Sequence, residues 1–197
     1  MSAEVRKATA DDIPAMSEML ARAFHEDPIV SWVFENEETR PKYTRRFFAG
    51  RARVLVGQRE IYMADGTAAA AMWARPDEWR DPPLRALKEL AILTPGVGRR
   101  AGRVIRGLVE VESKHPKPPH WYLAVLGTDP SRQGEGLASA LLAKVLDDCD
   151  RDEVPAYLET GTERNVGFYV RHGFKVSDEF RLPKGPPIWL MWREPRL

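Results

Sequence analysis

The segment Gln133-Gly134-Glu135-Gly136-Leu137-Ala138 is where this sequence offers chemistry most directly. It stands between an apolar run, His120 to Thr128, and a helical pattern that opens at Gly136. Glycines at such a junction let the backbone approach a ligand closely, and the first turn of the helix leaves its N–H groups unpaired. An anion fits there. The helix dipole contributes about 0.3–1 kcal/mol at exposed geometry, and converging donors add charge-assisted hydrogen bonds. A tight turn without a ligand would use the same glycines. A Walker-type loop is excluded, because it needs Gly-Lys-Ser/Thr and here Leu137-Ala138 follow Gly136. A dinucleotide fingerprint passes the local test, with Ser139 as its third small residue and Glu159 as an acid about 20 residues on. It fails on context: one strand-helix-strand unit late in the chain is not a doubly wound sheet.

The elements that must position this loop are legible around it. A helix over Gly136 to Asp150 lines up Leu137, Leu141, Leu142, Val145 and Cys149 on one side. Val154 to Thr160 reads as the next strand, Glu163 to His172 as a short helix, and Gly173 to Phe180 and Ile188 to Arg193 as two more strands. Strand, helix, strand in one sheet implies parallel neighbours and a right-handed crossover. His120 to Thr128 reads as a continuously buried strand. Upstream, Val5 to Ala8 is extended, and Asp12-Ile13-Pro14 opens a helix with Ile13, Met16, Leu20 and Phe24 on one face, stopped at Asp27-Pro28. A second helix runs from near Glu38 to Val56, carrying Tyr43, Phe47 and Leu55, and Asp65-Gly66 joins Glu60–Ala64 to Thr67–Ala74 as a hairpin. Two helical stretches fill residues 75–119. Such an excursion between strands is a candidate substrate lid, although plain packing explains it equally. Arg99, Arg100, Arg103 and Arg106 read there as the wet face of a helix whose inner face is Ala101, Val104, Ile105 and Leu108. Residues 1–197 thus form a single mixed α/β domain.

Composition removes several function classes. Thirty Lys and Arg against 29 Asp and Glu leave a formal charge of +1, so nothing drives the chain toward nucleic acid or an anionic membrane. One cysteine allows no internal disulfide, and four scattered histidines give no Cys/His spacing for zinc; no metal is expected. Apolar runs such as Ala68–Ala74 fall well short of the roughly 20 residues that cross a bilayer. Met1 to Thr9 lacks the apolar core of a signal peptide, and the expected location is cytoplasmic.

Gln133-x-x-Gly136-x-Ala138 resembles the Gln/Arg-x-x-Gly-x-Gly/Ala loop of the GNAT acetyltransferase superfamily, and the order of elements is similar too. From His120 to Trp192 the likeness is good. Within that stretch, Pro155 to Thr160, Asn165, Phe168-Tyr169, Gly173-Phe174 and the end near Trp189 resemble the puromycin N-acetyltransferases. The resemblance implies an α/β fold with a mostly antiparallel sheet and one parallel strand pair at the cofactor cleft, flanked by helices. It implies acetyl-coenzyme A as cosubstrate and a primary amine of a small molecule as acceptor, attacked directly in a ternary complex. A homodimer is an admissible assembly. The alternatives are a protein or peptide amine acetyltransferase and a non-catalytic acyl-coenzyme A binding module.

The same resemblance assigns roles. The amides of Gln133, Gly134, Glu135, Gly136, Leu137 and Ala138 would hold a pyrophosphate, and the backbone of Leu126, Gly127 and Thr128 would pair with the pantetheine arm, which Asn165 and Phe168 also touch. Tyr169 stands where many members place the acid for the departing sulfur. A phenol of pKa ~10 protonating a thiolate of pKa ~8.5 is slightly uphill, and a water-poor site reverses this by penalising the thiolate. The glutamate that some members carry eleven residues before the motif glutamine is Tyr122 here. Glu159 is then the best remaining base, acting through water, and His120, which shares a strand face with Tyr122, is second. Plain roles compete: Glu159 as a polar strand end, His120 as a solvated residue after Pro119, Phe168-Tyr169 as the packed side of a helix. His25, Glu26 and Asp27 either select a substrate or cap, and Trp32, Phe34, Trp73 and Trp79 either line an acceptor pocket or form core.

Overall fold

The computed structural model describes residues 3–56, 60–76, 78–79 and 95–196. Its strands are β1 (Val5–Lys7), β2 (Glu60–Ala64), β3 (Ala69–Ala74), β4 (Trp121–Thr128), β5 (Ala156–Thr160), β6 (Lys175–Arg181) and β7 (Pro187–Arg193). Its helices are α1 (Ile13–Ala23), α2 (Pro28–Val33), α3 (Arg40–Leu55), α4 (Ala101–Lys114), α5 (Leu137–Arg151) and α6 (Glu163–Arg171). The strands make one sheet in the order β1-β2-β3-β4-β5-β7-β6. β4 and β5 run parallel and every other neighbouring pair runs antiparallel, as the resemblance implied.

Period-two alternation sends successive side chains of each strand into different layers. On β5, Leu158 joins Leu123, Leu141, Leu142, Val145 and Phe174 beneath α5 and α6. Its neighbour Tyr157 joins Trp32, Phe34, Val104, Ile188 and Leu190 on the other face. Farther along that face, α1 and α3 bring Met16, Met19, Leu20 and Phe48 onto Met63, Met72 and Val125. Each large side chain taken fully from water contributes roughly 1.5–3 kcal/mol. Helices on both faces leave the sheet's central strands dry. Among the described residues, no helix is long and apolar enough to cross a membrane.

Three expectations need correction. Asp27-Pro28 ends the first helical run, but it also begins α2, whose first amides Ile29 N and Val30 N donate to the Asp27 carboxylate at 2.9 and 3.0 Å. A cap followed by proline at the first helical position is a start signal as much as a stop. Next, α4 presents Val104 and Gly107 inward, while Ile105 and Leu108 are exposed. Gly107 explains the rotation: a Cβ there would stand 2.6 Å from Trp32 and 3.1 Å from Leu182, so the helix touches α2 through its smallest residue. Lastly, β4 alternates between buried and half-buried positions and is not buried throughout. The first of the two helical stretches expected within residues 75–119 lies largely outside the described residues.

Candidate active site

The parallel ladder between β4 and β5 has only three rungs: Trp121 with Ala156, Tyr122 with Tyr157, and Leu123 with Leu158. At that level β4 carries an extra residue, Ala124, since β3 pairs Trp73 with Leu123 but Met72 with Val125. A bulge of this kind bends its strand and increases the twist. Beyond it, Val125 to Thr128 stay with β3 and Glu159 and Thr160 stay with β7, so the two strand ends part. Leu126, Gly127 and Thr128 lie along the parted edge, where an amide-bearing arm can pair with main-chain groups. Gly127 has a packing reason as well. A Cβ there would lie 2.7 Å from Leu20 and 2.9 Å from Phe24 of the α1 segment.

The glycine loop follows the end of β4. Asp129 turns the chain by accepting from Ser131 N at 3.0 Å, and Arg22 of α1 grips the same carboxylate at 2.6 Å. The Arg22 hydrogen bond, followed by those from Ser131, holds Asp129 down at about 2. Arg132 spans Glu135 at 2.7 Å and Asp65 of the β2–β3 turn at 3.2 Å, bracing the loop against the hairpin. Gly134 and Gly136 then take φ values of +86° and +83°, with Gly136 as the N-cap of α5. Neither glycine is crowded, for a Cβ at either would meet nothing within 4 Å; the left-handed backbone is what requires them. The amides of residues 134–139 donate to no main-chain carbonyl among the described residues. Successive free N–H groups at a helix start, under glycines open to solvent, form a cradle that suits a diphosphate. The residues present therefore fit coenzyme A.

α6 brings Asn165, Phe168 and Tyr169 to one side, spaced as neighbours on a helix. Asn165 and Phe168 are half-buried, while Tyr169 is buried, with its ring edge-on to Phe168 at 5.2 Å and to Phe174 at 5.9 Å. Burial, and then the charge of Asp27, pushes the Tyr169 phenol well above its ordinary value. Burial pushes the Asp27 carboxyl up in turn, against the pull of its two amide donors. Asp27 thus both caps α2 and faces Tyr169, which ties the end of the α1 segment to the site.

On the other face lies a group of polar atoms inside aromatic rings. The Glu159 side chain is 10% exposed, and its Oε1 has no hydrogen-bond partner. The Tyr157 hydroxyl is likewise buried, beside Glu159; burial, and then the Glu159 charge, drives its pKa up. Glu159 Oε1 stands 3.4 Å from Nδ1 of His115. His115 Nε2 lies 2.9 Å from Nε2 of His120, whose Nδ1 lies 2.7 Å from the Pro118 carbonyl oxygen. His120 is fully buried, which corrects its plain reading as a solvated residue. The Pro116 to Pro119 turn is what folds His115 back over it, and His115 is the site residue that sequence reasoning missed. Trp79 stacks on His115 at 3.5 Å, and Tyr122 and Tyr157 meet it edge-on at 4.8 Å each. Of the other tryptophan and phenylalanine candidates, Trp32 and Phe34 belong to the core under α2 and α4, and Trp73 to the opposite layer. His25, Glu26 and Glu37 bring ligand atoms within 4.8 Å of one another at the surface, away from this group.

Comparison with known proteins agrees with this geometry. An uncharacterized N-acetyltransferase of Schizosaccharomyces pombe is 23% identical over 204 residues, covering 96% of this chain and 83% of that protein. A Corynebacterium glutamicum crystal structure, of histone acetyltransferase HPA2 and related acetyltransferase, superposes with a TM-score of 0.76 at 26% identity, over 100% of this chain and 98% of the other. The PaiA N-acetyltransferase of Thermoplasma acidophilum, solved with coenzyme A, shares the fold at a TM-score of 0.53 and 15% identity, over 98% of this chain and 99% of that one. Residues 14–174 match the acetyltransferase (GNAT) family model, from the second residue of α1 to the end of the α6–β6 turn. With that match spanning the loop, the parted strands and Tyr169 alike, the chain belongs to the acetyltransferase (GNAT) family and is an acetyl-coenzyme A-dependent acyltransferase.

Proposed function

We propose that the protein is an N-acetyltransferase acting on the primary amine of a small molecule. The observation that carries this is Glu159 Oε1, a buried carboxylate oxygen without a partner, beside the buried Tyr157 hydroxyl and among Tyr122, His115 and Trp192 at the β4–β5 ladder. An ionised carboxylate oxygen without a donor is costly, and a protonated amine satisfies it while its cation meets ring faces. The sequence resemblance of residues 120–192 to puromycin N-acetyltransferases favours an antibiotic-like or amino-acid-conjugate acceptor.

Acetyl-coenzyme A supplies the acetyl thioester. The amides of Gly134 to Ser139 would grip its diphosphate, Leu126 to Thr128 would pair with its arm, and Asn165 and Phe168 would touch that arm from α6. Glu159 would take a proton from the ammonium acceptor, directly or through water, leaving a neutral amine able to attack. Tyr169, kept protonated by its burial, would supply the proton to the departing sulfur. The nitrogen–carbon bond forms, the carbon–sulfur bond breaks, and the proton shed by the new amide returns to Tyr169.

A peptide amine is the second reading, favoured by the histone acetyltransferase description of the Corynebacterium glutamicum relative. Thiol release from acetyl-coenzyme A, measured across arylalkylamines, aminonucleosides, amino-acid amides and basic peptides, separates the two. Small amines are expected to exceed peptides in kcat/KM by about tenfold or more. A peptide preference would overturn the small-molecule assignment.

A further inference from the structure

We propose that Glu159, His115 and His120 form a proton-holding chain, closed at its far end by the Pro118 carbonyl, and that His115 is the positioning residue through which Glu159 works as a base. The proposal rests on the amine acetyltransferase reading above and goes beyond it by saying where the amine's proton goes.

The contacts along this line outnumber the protons available to it. Three contacts join four groups in line: Pro118 O to His120 Nδ1 at 2.7 Å, His120 Nε2 to His115 Nε2 at 2.9 Å, and His115 Nδ1 to Glu159 Oε1 at 3.4 Å. Both ends are acceptors only, a carbonyl and a carboxylate. Each contact needs one proton. Two neutral imidazoles carry two N–H groups between them, so with Glu159 ionised the line is one proton short. The shortage falls at the loosest contact. His120 donates from Nδ1 to Pro118 and His115 donates from Nε2 to His120, which leaves the lone pair of His115 Nδ1 facing Glu159 Oε1. That contact is the longest of the three, and Oε1 is the atom without a partner. One added proton, on His115 Nδ1 or on the carboxylate, completes all three contacts.

The ring stack keeps the line from relaxing another way. Trp79 covers His115 at 3.5 Å, Tyr122 and Tyr157 hold its edges at 4.8 Å, and Trp192 meets His120 at 5.4 Å. Among the described residues, the other titratable or charged groups facing the line are Tyr122 on β4, Tyr157 on β5, and Asp178 on β6, which acts on Tyr157 and is paired with Lys114 of α4 at 2.8 Å. The chain therefore takes up one proton, the one broken from the ammonium nitrogen, and releases it to water after turnover. Tyr169 and the amide nitrogen exchange the second. The sum is one amide, one thiol and one proton, as the overall reaction requires.

Histidine side-chain NMR on the ¹⁵N-labelled full chain, without any substrate, reads the line itself. His115 and His120 should titrate as one coupled step that Glu159→Gln displaces; independent titration of the two rings would overturn the proposal. Kinetics with acetyl-coenzyme A and the best amine reads its use. His115→Gln should lower kcat by about 10- to 100-fold and move the acid limb of the kcat/KM profile by about one pH unit or more, with the KM for acetyl-coenzyme A unchanged. His115→Phe, which keeps a ring against Trp79, should show the same displaced limb; a profile like that of the unmodified protein would mean that His115 only packs. His120→Asn gives the same readout should either His115 variant fail to fold. Failure of the unmodified protein to acetylate any amine would sink the function proposed above, and the NMR titration would still decide the chain.

Discussion

In the proposed reaction Tyr169 is the acid for the leaving sulfur. Its phenol is buried, and burial followed by the Asp27 charge raises its pKa above the ordinary value. Tyr169→Phe should leave coenzyme A affinity within about twofold while lowering kcat by ~10² to 10⁴, read by calorimetry and by thiol release. An unchanged kcat would remove Tyr169 from the reaction. Tyr169 and Glu159 were candidates from the sequence because each stands at a recognisable place, one on the helix after the second parallel strand, the other at that strand's end. His115 was not. It lies in a proline-rich turn with no period to reveal its direction, and only the fold shows that five residues of turn return it to His120 and Glu159.

At the level of elements, the loop before α5 is the proposed diphosphate cradle, and its geometry is a backbone requirement. Gly136→Ala meets no steric obstacle but places a Cβ at a φ of +83°. The expected cost is ~1–2 kcal/mol of stability in urea unfolding, with coenzyme A affinity weakened by about tenfold or more in calorimetry as the amides lose their aim. Helices and strands with a strong period were readable, α5 and the β2–β3 hairpin among them. Short ones were not: α2 has six residues, too few for a period, and its cap was the same Asp27-Pro28 that closes the preceding run. The inner face of α4 was misread because a glycine, which no hydrophobicity pattern marks as buried, makes the contact.

For the molecule as a whole, the last strand is fastened to the loop helix by a partly buried ion pair. Arg193 on β7 donates to both oxygens of Asp150 at 2.7 Å each, and Arg196 N donates to Oδ1 at 2.8 Å. The Arg193 hydrogen bond is the chief reason that Asp150 sits below the usual carboxylate range. A depressed folded value contributes stability that is present above the unfolded carboxylate range, near ~3.9, and is lost as pH falls through the lower folded value. Arg193→Ala should therefore cost roughly 1.5–3 kcal/mol at neutral pH, the range for hydrogen bonds to a charged group, and the gap to the unmodified protein should narrow in urea unfolding below about pH 3. Mixed α/β character and a parallel pair were readable from the order of elements. The Arg193–Asp150 tie was not, since a sequence separation of 43 residues gives no local sign of contact.

The shortness of the β4–β5 ladder has a mechanical meaning. With three rungs only, the sheet is a seam between an early half, β1 to β4, and a late half, β5 to β7. A cosubstrate lying in the fork would stitch the halves along the length that the protein leaves unsewn, so that loading the enzyme and stiffening it are a single event.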